Sequence, residues 1–136
     1  MVDVAASDKQ KLLLAISRKA GASLDVLPEH MFAELQKRED LGSTGVGGGI
    51  ALPHARFHQV RKPTGMLVRL RKAIDFDAVD GKPVDIVFLL LLPETPNNDQ
   101  LGTLATIARK MRNPKVAAAL REARDSREMY RALAVE

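Results

Sequence analysis

The chain has no cysteine, which excludes a disulfide framework and any thiolate metal site and points to a reducing compartment. Aromatic side chains are scarce too. One Tyr and four Phe leave little for stacking on nucleic-acid bases. The net charge of +4 and pI near 9.6 would suit an anionic surface. Yet Lys and Arg are interleaved with Asp and Glu along the whole chain, and no basic low-complexity arm exists. Nucleic acid is therefore not an expected partner. No run approaches the roughly 20 apolar residues of a membrane span. Aspartates stand early in the N-terminal stretch, where a signal would be basic and then apolar. The expectation is a cytoplasmic protein without membrane insertion.

What the chain does contain is concentrated glycine. Five of its nine glycines fall between Gly42 and Gly49, inside the stretch REDLGSTGVGGGIALPH that runs from Arg38 to His54. Such density marks a tight turn. Ile50-Ala51-Leu52 follows as a brief apolar strand that Pro53 interrupts, which places His54 just past a strand end at the rim of a sheet.

At 136 residues and 46% apolar composition, the chain is read as one domain, 1–136, with a single good core. Ser7 with Gln10 has capping-box spacing, and Leu12, Leu13, Ile16 and Ala20 give the first helix an apolar face up to a C-cap at Gly21. A second helix starts near Pro28, with Met31, Phe32 and Leu35 inside, and ends around Arg38 to Asp40. Residues 56–62 read as a polar loop. From Thr64 to Arg71 the pattern alternates, with Met66, Val68 and Leu70 packed and Leu67, Arg69 and Arg71 partly wet. Ile74 to Phe76 is short and extended, and Val79 to Lys82 is a turn. Val84 to Leu92 is almost continuously apolar and predicts a central strand buried on both faces. Asn97, Asn98 or Asp99 is the candidate cap of a helix reaching about Arg112, with Leu101, Leu104, Ile107, Ala108 and Met111 inside. Pro114 begins another helix, and Asp125 with Glu128 caps a last one. The order predicts an α/β fold, a sheet covered by helices on both sides.

The glycine stretch lacks the Lys-Ser/Thr ending of a P-loop and does not satisfy GxGxxG. It also precedes a strand and not a helix, so no helix N-terminus waits for a pyrophosphate. His54 and His58 lie four apart, but Pro53 argues against a shared helical face, and no carboxylate lies close by in sequence to complete a metal site. Asp75, Asp77 and Asp80 are explained as turn and strand-end residues. His30 and His58 read as surface groups. A neutral imidazole can carry a phosphoryl group covalently, and an arginine fork can hold its oxygens. These residues alone leave open whether His54 reacts or only packs.

The segment from Arg38 to His54 resembles the signature of enzyme IIA in the fructose/mannitol family of the bacterial phosphotransferase system. It is nearest to the nitrogen-regulatory branch, whose pattern is approximately RE-x-LGSTGIG-x-GIAIPH. The likeness continues through Ala73 to Ala78, Gly81 to Asp85, the apolar strand, and Leu101-x-x-Leu104 with Ile107-Ala108. The resemblance implies that His54 is the phosphorylated residue and that Arg38 contacts the phosphoryl group. It further implies a mixed sheet flanked by helices, a pocket also lined by Thr44, Gly45 and Arg56, and no metal or small cofactor. The donor would be an HPr-type histidine phosphocarrier, with in-line transfer between two imidazoles.

Two departures stand out. Gln100 occupies the place of a second histidine in an H-L-x-x-L pattern, where it can donate a hydrogen bond but cannot carry charge. The N-terminal stretch is short and is expected to lack the first strand of longer relatives, which bears on whether the chain forms a homodimer. Three readings follow from the resemblance. The first is a regulatory phosphocarrier acting on downstream target proteins. The second is a sugar-transport component passing its group to a permease B domain. The third is a degenerate binding module that is no longer phosphorylated.

Overall fold

A computed structural model describes residues 4–94 and 98–134, including all their side chains except those of 98–101 and 134. Two helices come first, α1 (Lys9–Leu24) and α2 (Pro28–Asp40). Five strands follow: β1 (Gly45–Gly47), β2 (Ile50–Ala51), β3 (His54–Phe57), β4 (Thr64–Ile74) and β5 (Val84–Pro93). The described chain closes with α3 (Asn98–Arg112), α4 (Pro114–Glu122) and α5 (Ser126–Ala134).

β5 is the axis of the sheet. Along one edge it pairs in parallel with β2 (Ile50 opposite Ile86) and then with β3 (His54 opposite Leu90). Along the other edge it pairs antiparallel with β4. β1 closes the sheet as the antiparallel partner of β2. The sheet is therefore mixed, as expected. Its nearly continuous apolar central strand feeds two cores. Val84, Val87, Leu89 and Leu91 face Leu12, Leu13, Ile16, Met31 and Leu35 of α1 and α2. Ile86, Phe88, Leu90 and Leu92 face Met111, Leu120 and Met129 of α3, α4 and α5. Burial on both faces is what a run without polar alternation demands.

Four local expectations are corrected. The cap of α1 is Asp8 and not Ser7, because the Asp8 carboxylate accepts from the Lys11 N–H at 2.8 Å. Nor does α1 stop at Gly21. It runs on to Leu24 and ends where Asp25 adopts a left-handed conformation at φ 57°. Gly21 serves closeness instead: a Cβ there would stand 2.6 Å from the Val26 carbonyl oxygen.

The third correction concerns His54, which opens β3 and does not trail off β2. Pro53 is only the break between two short strands that use the same edge of β5. Residues 54–57 are too few to show an alternation in the sequence, yet Ala55 and Phe57 are buried while Arg56 is exposed.

The fourth is Arg69: the far face of β4 is partly wet, with Arg71 exposed, but Arg69 itself is covered. Leu67 packs into the second core, and Arg69 is buried with its Nη1 donating to the carbonyls of Leu120 (3.0 Å), Arg121 (3.1 Å) and Ala123. This guanidinium closes the C-terminus of α4, where backbone acceptors lack helical partners. Arg69→Met should keep the packing of the stem but strand those carbonyls. We expect a loss of roughly 2–3 kcal/mol in unfolding free energy, measured by chemical denaturation.

Pro114 opens α4 and Asp125 caps α5, both as read. The Glu128 N–H donates to Asp125, and Asn113 caps α4 through the Lys115 N–H. Asn97 lies outside the described residues. At the N-terminal end, Val4 forms a one-residue parallel bridge to Leu70 on the outer edge of β4.

Candidate functional site

Arg38 lies in the last turn of α2, and His54 lies at the start of β3, held against β5 where the Leu90 N–H donates to the Pro53 carbonyl. The fold brings these two side chains together across sixteen residues: Arg38 Nε donates to His54 Nε2 at 3.2 Å. The other ring nitrogen, Nδ1, sits 2.9 Å from the Leu52 carbonyl oxygen. A carbonyl can only accept, so Nδ1 carries the proton and Nε2 is left with its lone pair. Arg38 is itself fixed by Nη1 donating to the Gly42 carbonyl at 2.9 Å.

His54 is half-buried, and its pKa is lowered from the ordinary histidine value of 6.5. Loss of hydration is the main cause, reinforced by the cations of Arg38 and Arg56, while the Leu52 carbonyl and Glu39 pull the other way. The neutral, nucleophilic ring therefore prevails at pH 7. Its proton-bound form is favoured in the unfolded chain, so the contribution of this ring to stability grows as pH rises through the window between its depressed value and 6.5. A ring-proton NMR titration should place its midpoint below 6.5.

His54 and Arg38 border a cavity of about 330 Å³ with Lys37, Arg56, Leu41, Glu34, Ala55 and Leu92. Three of its walls are cationic, and Leu41 stands 83% exposed at the rim. Such a site suits a small dianion, with an unprotonated nitrogen at its floor.

Other expected residues fall elsewhere. Arg56 lies at this cavity and also donates to the Pro93 carbonyl at 3.2 Å. Thr44 and Gly45 are not among the lining residues. Thr44 is buried, with both its N–H and its hydroxyl given to Glu39. Gly45 packs against Ala78 in the β1 hairpin. The side chain of Gln100 lies outside the described residues.

The glycine turn is structural. Gly48 is tied by its N–H to Asp80 (3.0 Å) and by its carbonyl to Arg121 (2.7 Å), and Arg121 is also paired with Asp85. At Gly49 the backbone sits at φ 81°, and a Cβ would meet Arg121 Nη2 at 2.6 Å, so only glycine fits. Asp75 and Asp80 accept from the Asp77 and Lys82 N–H groups, which are turn roles. Among the described residues no His, Cys, Asp or Glu group has the geometry to hold a metal. His30 is exposed and meets Phe57 edge-on, and His58 faces Glu94 at 4.0 Å on the surface.

One site residue escaped the sequence reading. Glu39 is buried beneath the site and is paired with Lys9 of α1 at 2.9 Å. A signal for it existed. An acid in the last turn of a helix opposes the macrodipole and needs a compensating partner.

A half-buried imidazole whose Nε2 accepts from an arginine, set on a mixed sheet covered by helices, defines an α/β domain with a cation-walled histidine site. The chain belongs to the EIIA 2 family of the phosphoenolpyruvate-dependent sugar phosphotransferase system, which it matches over residues 1–135. It is 40% identical over 129 residues to the nitrogen regulatory protein of Bradyrhizobium diazoefficiens, covering 95% of this chain and 84% of that one. To the nitrogen regulatory protein of Escherichia coli K12 it is 36% identical over 123 residues, covering 90% and 76%. The crystal structure of the nitrogen regulatory protein IIA-Ntr from Neisseria meningitidis superposes with a TM-score of 0.91 at 32% identity, covering 97% of this chain and 90% of that one. Mannitol IIA of Escherichia coli shares the fold at a TM-score of 0.78 and 18% identity, covering 98% and 95%. Among the described residues no helix is long and apolar enough to cross a membrane.

Proposed function

We propose that this chain is a regulatory phosphocarrier that takes a phosphoryl group on His54 Nε2 from the phosphohistidine of an HPr-type protein. The observation that carries the reading is the orientation of one ring. Leu52 holds the proton on Nδ1, so the Nε2 lone pair lies within reach of Arg38 at a cavity walled by cations. In the transfer this lone pair forms the new N–P bond as the donor's N–P bond breaks, and the electron pair returns to the donor ring. Nδ1 keeps its proton on the Leu52 carbonyl. Arg38 turns from Nε2 to the equatorial oxygens, with Lys37 and Arg56 adding positive charge around them.

The regulatory role is supported by the nitrogen regulatory proteins among its relatives and by the IIA-Ntr structure. Phosphorylation would replace a cationic rim beside the exposed Leu41 with a dianion, a change that partner proteins can read. The built site speaks against a degenerate module.

The test is phosphoryl transfer with phosphoenolpyruvate, the system's first enzyme and its HPr-type carrier. Intact mass should show one added phosphoryl group that acid removes and base does not. No added mass would sink the reading. Donation from the labelled protein to a sugar-permease B domain would move the assignment from regulation to transport.

A further inference from the structure

Glu39 is held by an unusual number of partners for a residue that touches no cavity. Its side chain is 1% exposed, and Oε1 receives both Lys9 Nζ at 2.9 Å and the Thr44 N–H at 3.0 Å. Oε2 receives the Thr44 hydroxyl. Lys9 in turn lies 4.5 Å above the centre of the Phe76 ring, which fixes its stem. The contacts continue from Thr44 in one direction only. Its carbonyl accepts the Leu52 N–H at 3.0 Å, and the Leu52 carbonyl accepts His54 Nδ1–H at 2.9 Å. In the other direction Glu39 is the peptide neighbour of Arg38, whose Nε reaches His54 Nε2. The path is closed: His54, Leu52, Thr44, Glu39, Arg38 and back to His54.

We propose that Glu39 is a positioning residue for phosphoryl transfer. One carboxylate, neutralised by Lys9, sets both the carbonyl that fixes the tautomer of His54 and the arginine that meets its free nitrogen. The inference rests on His54 being the phosphoryl acceptor.

The physical reason lies in where each partner sits. Leu52 lies just past a two-residue strand, and Arg38 is in the last turn of a helix. Neither position is rigid on its own. Glu39 joins them through hydrogen bonds to a charged acceptor, which are shorter and stronger than neutral ones. Lys9 brings the carboxylate into the interior as a pair and not as a lone charge. The charged groups felt by His54 are Arg38 and Arg56 on one side and Glu39 on the other, so removing Glu39 also leaves the ring under cations only.

Glu39→Gln keeps the shape and one acceptor oxygen. In the transfer assay we expect kcat to fall roughly tenfold to a hundredfold, the cost of misplacing reacting groups, with KM for the carrier nearly unchanged. The titration midpoint of His54 should drop further, and its ring-nitrogen shifts should show a mixture of tautomers. The lost charge by itself lowers the midpoint, but a merely structural role would leave the tautomer and kcat of the folded fraction unmoved. Thr44→Val removes only the hydroxyl arm, with little change of volume. It should give a smaller loss in the same direction, and it decides the matter if Glu39→Gln does not fold. Wild-type kcat and a ring held wholly in the Nδ1–H tautomer in the folded variant would overturn the proposal. A wild-type chain that accepts no phosphoryl group would instead strike the reading beneath it, and the tautomer arm would still judge Glu39.

Discussion

His54→Gln should abolish phosphoryl acceptance while leaving the domain folded. The glutamine amide can still donate to the Leu52 carbonyl, which His54 Nδ1 holds at 2.9 Å, and it fills nearly the same half-buried space. It offers no nitrogen lone pair, because the amide nitrogen is conjugated. No N–P bond can form. Intact mass after incubation with the phosphorylated carrier should show only the unmodified chain, while circular dichroism and the melting temperature stay close to wild type. A label that persists in this variant would move the acceptor to another residue. His58 would be examined next, although it lies exposed beside Glu94 and outside the cationic cavity.

Arg38→Ala should be nearly as damaging but leave a measurable residue of activity. Its guanidinium is the only group that contacts Nε2 among the described residues, and its fork is the nearest partner for the incoming phosphoryl oxygens. Removing a preorganised charge from a transition state costs on the order of a hundredfold to a thousandfold in rate. The same substitution takes away a cation beside the ring and admits water, and both effects now lower the pKa of His54. Its titration midpoint should therefore rise toward 6.5. At a pH between the two midpoints, a larger fraction of the variant's rings would be protonated and unreactive, so the rate deficit should widen as pH falls. Arg38→Lys should recover little, since an ammonium cannot donate to Nε2 and to the Gly42 carbonyl from one planar fork. Unchanged kinetics in Arg38→Ala would remove Arg38 from the site. Neither substitution should unfold the chain, because both side chains sit at the margin of the two cores.

Much of this was legible before any coordinates. The apolar run of β5, the prolines that open α2 and α4, and the cap at Asp125 follow from local chemistry, and local chemistry is fully written in the chain. His54 and Arg38 were also marked, through the order of residues that carries the family likeness. β3 was missed because four residues after a proline hold too little periodicity, and its strand partner is the distant β5. Arg69 was misjudged for a related reason. Alternation along one strand shows which side chains share a face, but not that the end of a distant helix will cover that face and use the cation.

The roles of Thr44 and the glycines were misread in the same way. Their density announced a turn, and the turn is there, but what it holds depends on Asp80 and Arg121, which lie more than thirty residues away.

The sequence by itself determined the helices and the two-faced burial of the central strand, and it marked His54 and Arg38 as the candidate pair. Those depend on interactions between near neighbours and on residue types that few other arrangements would use. Only the tertiary structure decided which nitrogen of His54 is free, that Arg38 meets it, and that Glu39 with Lys9 braces both. These are contacts between groups from separate elements, and their distances exist only once the sheet and the helices have packed.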